Sequence, residues 1–380
     1  MPYKETKVTQ NSKKILFVCI ILAFFSCYFL DRSKELSEIM RTVDSIVALL
    51  LVILLLIHFE KNKITMSLAI GYLILFASII PGLFLNNLFN IHWLYAIIAF
   101  EIIRTEFNPT GRGYNWVLYL TFLFIIIQMA LLRSSDGRPV LSIEDANYSA
   151  YYLSIFAALL IYSNKIILSI IVIILSCFTL SRAFFLATIL FISIYAIKKI
   201  FKIRLVANGW ITLIVLIFIP IVFSTIYLLL VPEAIDVNTY DYQKLFSYKD
   251  QSNIDRSIAN IIFINYITEN PMSIMSGLNI ERYTNEVFHN SPHTSAYQII
   301  FNYGLLYLIA LFLLLYSFRK RIFLSFHSRA FISALLCWML FLGGVLYGPQ
   351  TIILALIINK CNSIGEACAP IGHLGSGNKL

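Results

Sequence analysis

Two histidines stand four residues apart in Phe288-His289-Asn290-Ser291-Pro292-His293-Thr294, a third of the six in the chain. An imidazole titrates near neutrality, so either ring suits proton removal from a hydroxyl nucleophile. Arg182 follows Ser181 between two long apolar stretches. A guanidinium fixed there can grip a phosphate or pyrophosphate in two-pronged fashion, and the plainer alternative is that it snorkels to lipid headgroups. Arg256 lies on a segment with helical spacing of Ile254, Ile258, Ile261 and Ile262, turned about 200° from Ile254. A solvated arginine on an amphipathic helix is its ordinary reading. Segment 133–147 carries Arg133, Arg138, Asp145 and Asn147. A carboxylate and an amide are the right partners for sugar hydroxyls, while a polar connector accounts for any one of them alone. Cys361, Cys368 and His373 are too few, and wrongly spaced, for the four-ligand zinc pattern.

The elements that must hold these groups are apolar helices. The chain is 59% hydrophobic and 13% charged, against roughly a quarter charged in soluble domains. Runs of about twenty apolar residues recur without the alternation that a barrel needs, so an all-α polytopic membrane protein is expected. The predicted spans are 15–30, 43–59, 64–85, 91–103, 114–132, 148–162, 166–180, 183–197, 211–230, 295–318, 330–346 and a short 348–359, giving 11–12 transmembrane helices. The last could be a half-helix behind Gly348-Pro349. The first, after Lys13-Lys14, reads as a retained signal anchor, because Asp31-Arg32-Ser33-Lys34 follows it instead of a cleavage site. Expected organisation is a single membrane domain over 1–380, a large loop at 231–294 before the penultimate pair of spans, and a tail at 361–380.

Lysine and arginine set the orientation. With the N-terminus cytoplasmic, 19 of the 29 basic residues fall inside, and the clusters 198–204 and 319–329 decide it. Loop 231–294 then lies outside, with a net charge of −4, so anion binding there must rest on individually placed arginines. In that loop, Ser252-x-x-Asp255 predicts a capping box and Asn270-Pro271 a helix end. Glu101 and Arg104, three apart, predict a helix-surface ion pair. The overall charge of +9 is mostly orientation signal, and no basic soluble face offers itself to nucleic acid.

The run from His293 to Tyr307 resembles the O-antigen polymerase and O-antigen ligase superfamily of bacterial polysaccharide assembly. In its ligases a His and a small polar residue precede nine arbitrary residues, a Gly, two more, and a Gly, Thr or Tyr. His293, Thr294, Gly304 and Tyr307 fit that spacing, with Thr294 departing from the usual Asn, Ser or Gln. His289-Asn290 has the better dipeptide at the wrong distance from a glycine, and is the second choice. Ser181-Arg182-Ala183 is similar to the Ser-Arg-small motif that opens a span in these proteins. Asp145-Ala146-Asn147-Tyr148 resembles the polymerases' Asp-Pro-Asn element, with Ala146 for proline. Arg256, ahead of Pro271 and Gly277, matches their arginine before a bend.

The resemblance implies a glycosyltransferase of the bacterial inner membrane. Its donor would be an oligosaccharide on undecaprenyl pyrophosphate, with that pyrophosphate as leaving group and no cofactor or metal. His293, Arg182 and Arg256 become the expected catalytic residues, and Arg138, Asp145, Asn147, His289, Asn290 and Gly304 the expected substrate-binding ones. Membrane lipid, a chain-length regulator and a flippase are the expected partners. Two other readings stay open. One is a ligase that passes the glycan to lipid A–core. The other is a flippase, although transporters place charged or broken helices near the midplane, whereas here the ionisable residues crowd one boundary.

Overall fold

The computed structural model describes residues 7–29, 37–59, 92–134, 137–142, 145–201, 251–277, 294–342 and 348–367, with isolated positions between them. The described helices are α1 (Lys7–Tyr28), α2 (Ser37–Phe59), α3 (His92–Arg104), α4 (Arg112–Leu131), α5 (Ala146–Tyr162), α6 (Ile166–Phe178), α7 (Arg182–Phe201), α8 (Gln251–Glu269), α9 (Pro271–Ser276), α10 (Ser295–Ser317), α11 (Arg319–Ile322), α12 (Phe326–Phe341) and α13 (Gln350–Ala367). No strand occurs among the described residues; an isolated bridge pairs Arg133 with Pro139. The protein is an all-α membrane protein. The segments Gln10–Tyr28, Arg112–Leu131 and Tyr297–Ser317 are each long and apolar enough to cross a bilayer. Predicted spans 64–85 and 211–230 lie almost wholly outside the described residues.

The burial pattern is that of a bundle in lipid. On α6, Ile166, Ile167, Ile170, Ile174 and Phe178 are exposed, whereas Ser169, Val172 and Ser176 are buried. Ile167 is 76% exposed and Ser169 1%. A soluble helix would hide the isoleucines; hydrocarbon lets them face outward and leaves small polar residues for helix contact. Ser169 accordingly donates its hydroxyl to the Ala157 carbonyl of α5 at 2.9 Å. Trp116, Leu120, Leu123, Ile127 and Leu131 form a similar exposed stripe on α4.

At the centre stand α5 and α13. The sequence predicts only a short span at 348–359, yet α13 runs for 18 residues, about 27 Å at 1.5 Å per residue. It is buried on every side, since no residue from 352 to 358 exceeds 7% exposure. It packs on α1, α3, α5 and α12. The helix also carries residues 361–367, which the tail was expected to contain. A window of hydropathy undervalues α13 because Asn359, Lys360 and Asn362 interrupt it, and each of these is satisfied by a specific partner.

Those partners define one end of the bundle, the Lys360 end. Asn359 Nδ2 donates to the carbonyls of Ile102 at 2.8 Å and Phe107 at 3.1 Å. Lys360 Nζ donates to Asn108 Oδ1 at 2.8 Å, and Asn362 Nδ2 to the Arg321 carbonyl at 2.7 Å. The Glu101 carboxylate accepts from Arg104 Nε and Nη2 at 2.9 and 2.8 Å, so the ion pair forms at the predicted spacing, but Glu101 is buried instead of lying on the helix surface. Tyr72 also donates to Glu101, at 3.0 Å. Arg321 reaches the Arg104 carbonyl and pairs with Glu106 at 3.3 Å. His327 Nδ1 meets the Tyr195 hydroxyl at 2.6 Å, a structural contact.

Of two local expectations in segment 231–294, one comes out differently and one as predicted. Ser252 already has helical backbone inside α8, so it is not the helix N-cap. Asn270-Pro271 does end α8, and Pro271 opens α9, where its missing N–H costs nothing.

Candidate functional site

The opposite end gathers Arg138, Asp145, Asn147 and Arg182 of the residues singled out in the sequence. Helix α5 starts there because Asp145 is an efficient N-cap: its Oδ1 accepts the backbone N–H of Asn147 at 2.7 Å and of Tyr148 at 2.9 Å. This cap fixes Asn147 in the first turn. Ser181 then donates its hydroxyl to Asn147 Oδ1 at 2.9 Å, across 34 residues of sequence. Ser181 is fully buried. The turn between α6 and α7 is only Thr179-Leu180-Ser181, tight enough to hold Leu180 at φ 53. Arg182 opens α7 directly behind it and is exposed.

Arg138 joins the same patch. A short hairpin brings it there: Ser134 N–H donates to the Arg138 carbonyl at 2.9 Å, and Gly137 turns the chain at φ 79. Arg138 Nη1 donates to the Thr179 carbonyl at 3.2 Å. Arg138, Asp145, Asn147 and Arg182 therefore come from three segments onto one face of the bundle.

Buried polar links tie this face to the rest of the end. Gln128, a lone amide in the last turns of α4, donates to the Tyr28 carbonyl at 2.7 Å and accepts the Ser142 N–H at 3.0 Å. Tyr28 donates to the Tyr152 carbonyl at 2.9 Å, and Tyr152 to Gln350 Oε1 at 3.3 Å. Tyr151 donates to the Val345 carbonyl at 3.2 Å. Ser295, first in α10, donates to the Leu342 carbonyl at 2.7 Å. The ends of α1, α4, α5, α10, α12 and α13 thus meet at this level. Gln128 is the one of these that sequence could have flagged, as an unpaired amide within an apolar span.

His289, Asn290 and His293 lie outside the described residues, as does the side chain of Arg256, whose backbone is in α8. Thr294, immediately before α10, has extended backbone with φ −100 and ψ 144. Its hydroxyl does not cap the helix. Thr294 Oγ1 is buried without a hydrogen-bond partner, and so is Gln298 Oε1 one turn on, on the same face. Native proteins leave few such atoms, and each calls for an account. Neither residue was singled out beforehand beyond Thr294's place in the motif.

Gly304 has a clear place. It breaks α10 at φ 82 and ψ 171, a conformation almost confined to glycine. The break lets the backbone of α9 enter: a Cβ on Gly304 would collide with the Met275 carbonyl and, at 2.7 Å, with the Gly277 nitrogen. Phe263 of α8 packs on Tyr297 and Phe301 of α10, with ring centroids 5.8 and 6.0 Å apart. The α8–α9 segment is so clamped on α10 beside Thr294 and Gln298. Among the described residues no cluster of His, Cys, Asp and Glu forms a metal site.

No family model, curated protein or solved structure matches this chain.

Proposed function

We propose that this protein is a glycosyltransferase of a bacterial inner membrane that polymerises oligosaccharide repeat units carried on undecaprenyl pyrophosphate. The observation that carries the reading is the Ser181–Asn147 hydrogen bond. It joins the Ser-Arg-small and Asp-x-Asn motifs, which the superfamily resemblance picked out separately. Arg138 is fastened beside them through Thr179. A patch offering two guanidinium groups and an amide suits a sugar pyrophosphate.

In this reading the chain has 11–12 spans and a cytoplasmic N-terminus. The Asn147 end faces the extracytoplasmic side and the Lys360 end the cytoplasm. The charge distribution supports that orientation. Among the described residues Arg104, Arg112, Lys165, Arg319, Lys320, Arg321, Arg329 and Lys360 lie toward one end, against Arg133, Arg138 and Arg182 at the other.

The reaction follows from these roles. An acceptor sugar hydroxyl attacks the anomeric carbon of the donor. The bond from that carbon to the pyrophosphate oxygen breaks, and the pyrophosphate departs with the electron pair. His293 takes the hydroxyl proton, while Arg182, with Arg256 from α8, stabilises the leaving group. One displacement inverts the anomeric configuration. Thr294 and Gln298 offer unpaired oxygens for sugar hydroxyls beside the base.

The test is the surface lipopolysaccharide of a Gram-negative strain lacking this protein, separated on a gel. Core capped with a single repeat unit is the expected result. Bare core, with polymer retained on the lipid carrier, identifies a ligase instead. An unchanged ladder overturns both. Complementation with His293→Ala at wild-type protein level must fail to restore the ladder; a normal ladder overturns the role of His293.

A further inference from the structure

A groove remains at the other end that this chemistry does not use. It runs between α3, α10, α12 and α13, past Phe100, Leu311, Leu335 and Ala355, with a cavity volume of about 150 Å³. That is narrow for a whole small ligand but leaves room for part of an extended hydrocarbon chain. Its lining is aliphatic and aromatic apart from Thr351, and among the described residues Arg319 is the one charged side chain in it.

Arg319 differs from the two nearby arginines that hold carboxylates. Arg104 is paired with Glu101 and Arg321 with Glu106, while Lys360 is engaged by the neutral Asn108 amide. Arg319 lies over the Tyr316 ring at 3.8 Å and gives one N–H to the Tyr316 carbonyl at 2.9 Å. A guanidinium has five N–H donors, and among the described residues no carboxylate pairs with the remaining ones. Lys320, exposed, follows it. An apolar groove ending at an uncompensated cation at the bundle boundary matches an amphiphile with an apolar chain and an anionic head.

We propose that this groove binds an anionic phospholipid of the leaflet at the Lys360 end, one acyl chain lying between α10 and α13 and the phosphate held by Arg319. The inference is independent of the proposed glycosyl transfer.

The experiment uses the full-length protein, delipidated in detergent, with dioleoyl phosphatidylglycerol or dioleoyl phosphatidylcholine added and binding read by native mass spectrometry. At least a tenfold preference for phosphatidylglycerol is expected, and Arg319→Glu should abolish it. Ala355→Trp should prevent retention of either lipid in protein that still elutes as a single species. Arg319→Glu gives up only its contacts with the exposed Tyr316, so it decides the matter even if Ala355→Trp does not fold. Equal retention of the two lipids, or an unchanged preference in Arg319→Glu, overturns the site. Displacement of bound phosphatidylglycerol by equimolar undecaprenyl phosphate would assign the groove to an isoprenoid lipid and overturn the phospholipid assignment.

Discussion

The backbone of Gly304 closes directly on that of Gly277: a methyl group on Gly277 would stand 3.1 Å from the Gly304 nitrogen. Both residues have positive φ, 79 and 82. The contact makes the end of the α8–α9 segment part of the wall of α10, within the helix that starts at Thr294. It also explains why a break falls inside a stretch that hydropathy alone reads as one continuous span.

Gly304→Ala should therefore be severe. Its backbone conformation alone costs a non-glycine residue about 1–3 kcal/mol, and the added methyl also meets the Met275 carbonyl and the Gly277 amide. Gly111 is the control, since it has φ 99 but nothing within 4 Å of a built Cβ. Thermal unfolding in detergent should show a clearly larger loss for Gly304→Ala than for Gly111→Ala. Equal losses would mean that the backbone clash is relieved cheaply.

Ser181 and Asn147 should couple energetically. Loss of a typical hydrogen bond costs about 1 kcal/mol, and contacting residues show interaction energies of about 0.5–3 kcal/mol. A double-mutant cycle with Ser181→Ala and Asn147→Ala, read by unfolding, should give a coupling in that range. Strict additivity would show that the link contributes nothing to the patch.

Arg182→Lys tests whether a fixed planar cation is needed. Lysine keeps the charge but not the two-pronged geometry. If Arg182 holds a pyrophosphate, glycosyl transfer by purified protein should fall by about 100-fold or more, the scale for losing a preorganised donor. Near-normal transfer by Arg182→Lys would reduce Arg182 to a headgroup anchor.

Asn359→Leu should loosen the Lys360 end. The Phe107 carbonyl loses its amide partner and Ile102 loses one of several. Leaving a buried acceptor unpaired costs about 1–3 kcal/mol, so the unfolding temperature should drop although the substitution is more hydrophobic. A rise would mean that apolar packing on α3 outweighs the lost bonds.

Ser169→Leu should destabilise more than Ser169→Ala. The alanine variant loses one interhelical hydrogen bond, worth about 0.6 kcal/mol on average in membrane bundles. The leucine must also fit where Ser169 is 1% exposed against α5. Comparable unfolding temperatures for the two would indicate slack at this interface.

Sequence alone determined the class of this protein, because a bilayer permits few ways to satisfy a backbone and long apolar runs declare a helix wherever they occur. It also fixed features carried by neighbours in the chain: the Glu101–Arg104 pair, the stop at Asn270-Pro271, and the tight turn before Arg182. Tertiary structure alone decided which faces are inward, since in lipid Ser169 and Ile167 exchange the roles they would have in water. It decided that α13 is central, because the partners of Asn359 and Lys360 lie some 250 residues away in the chain. The same is true of the candidate site. Asn147, Arg138 and Arg182 are ordinary polar residues one at a time, and only packing of α5 against α6 and α7 brings them onto one patch.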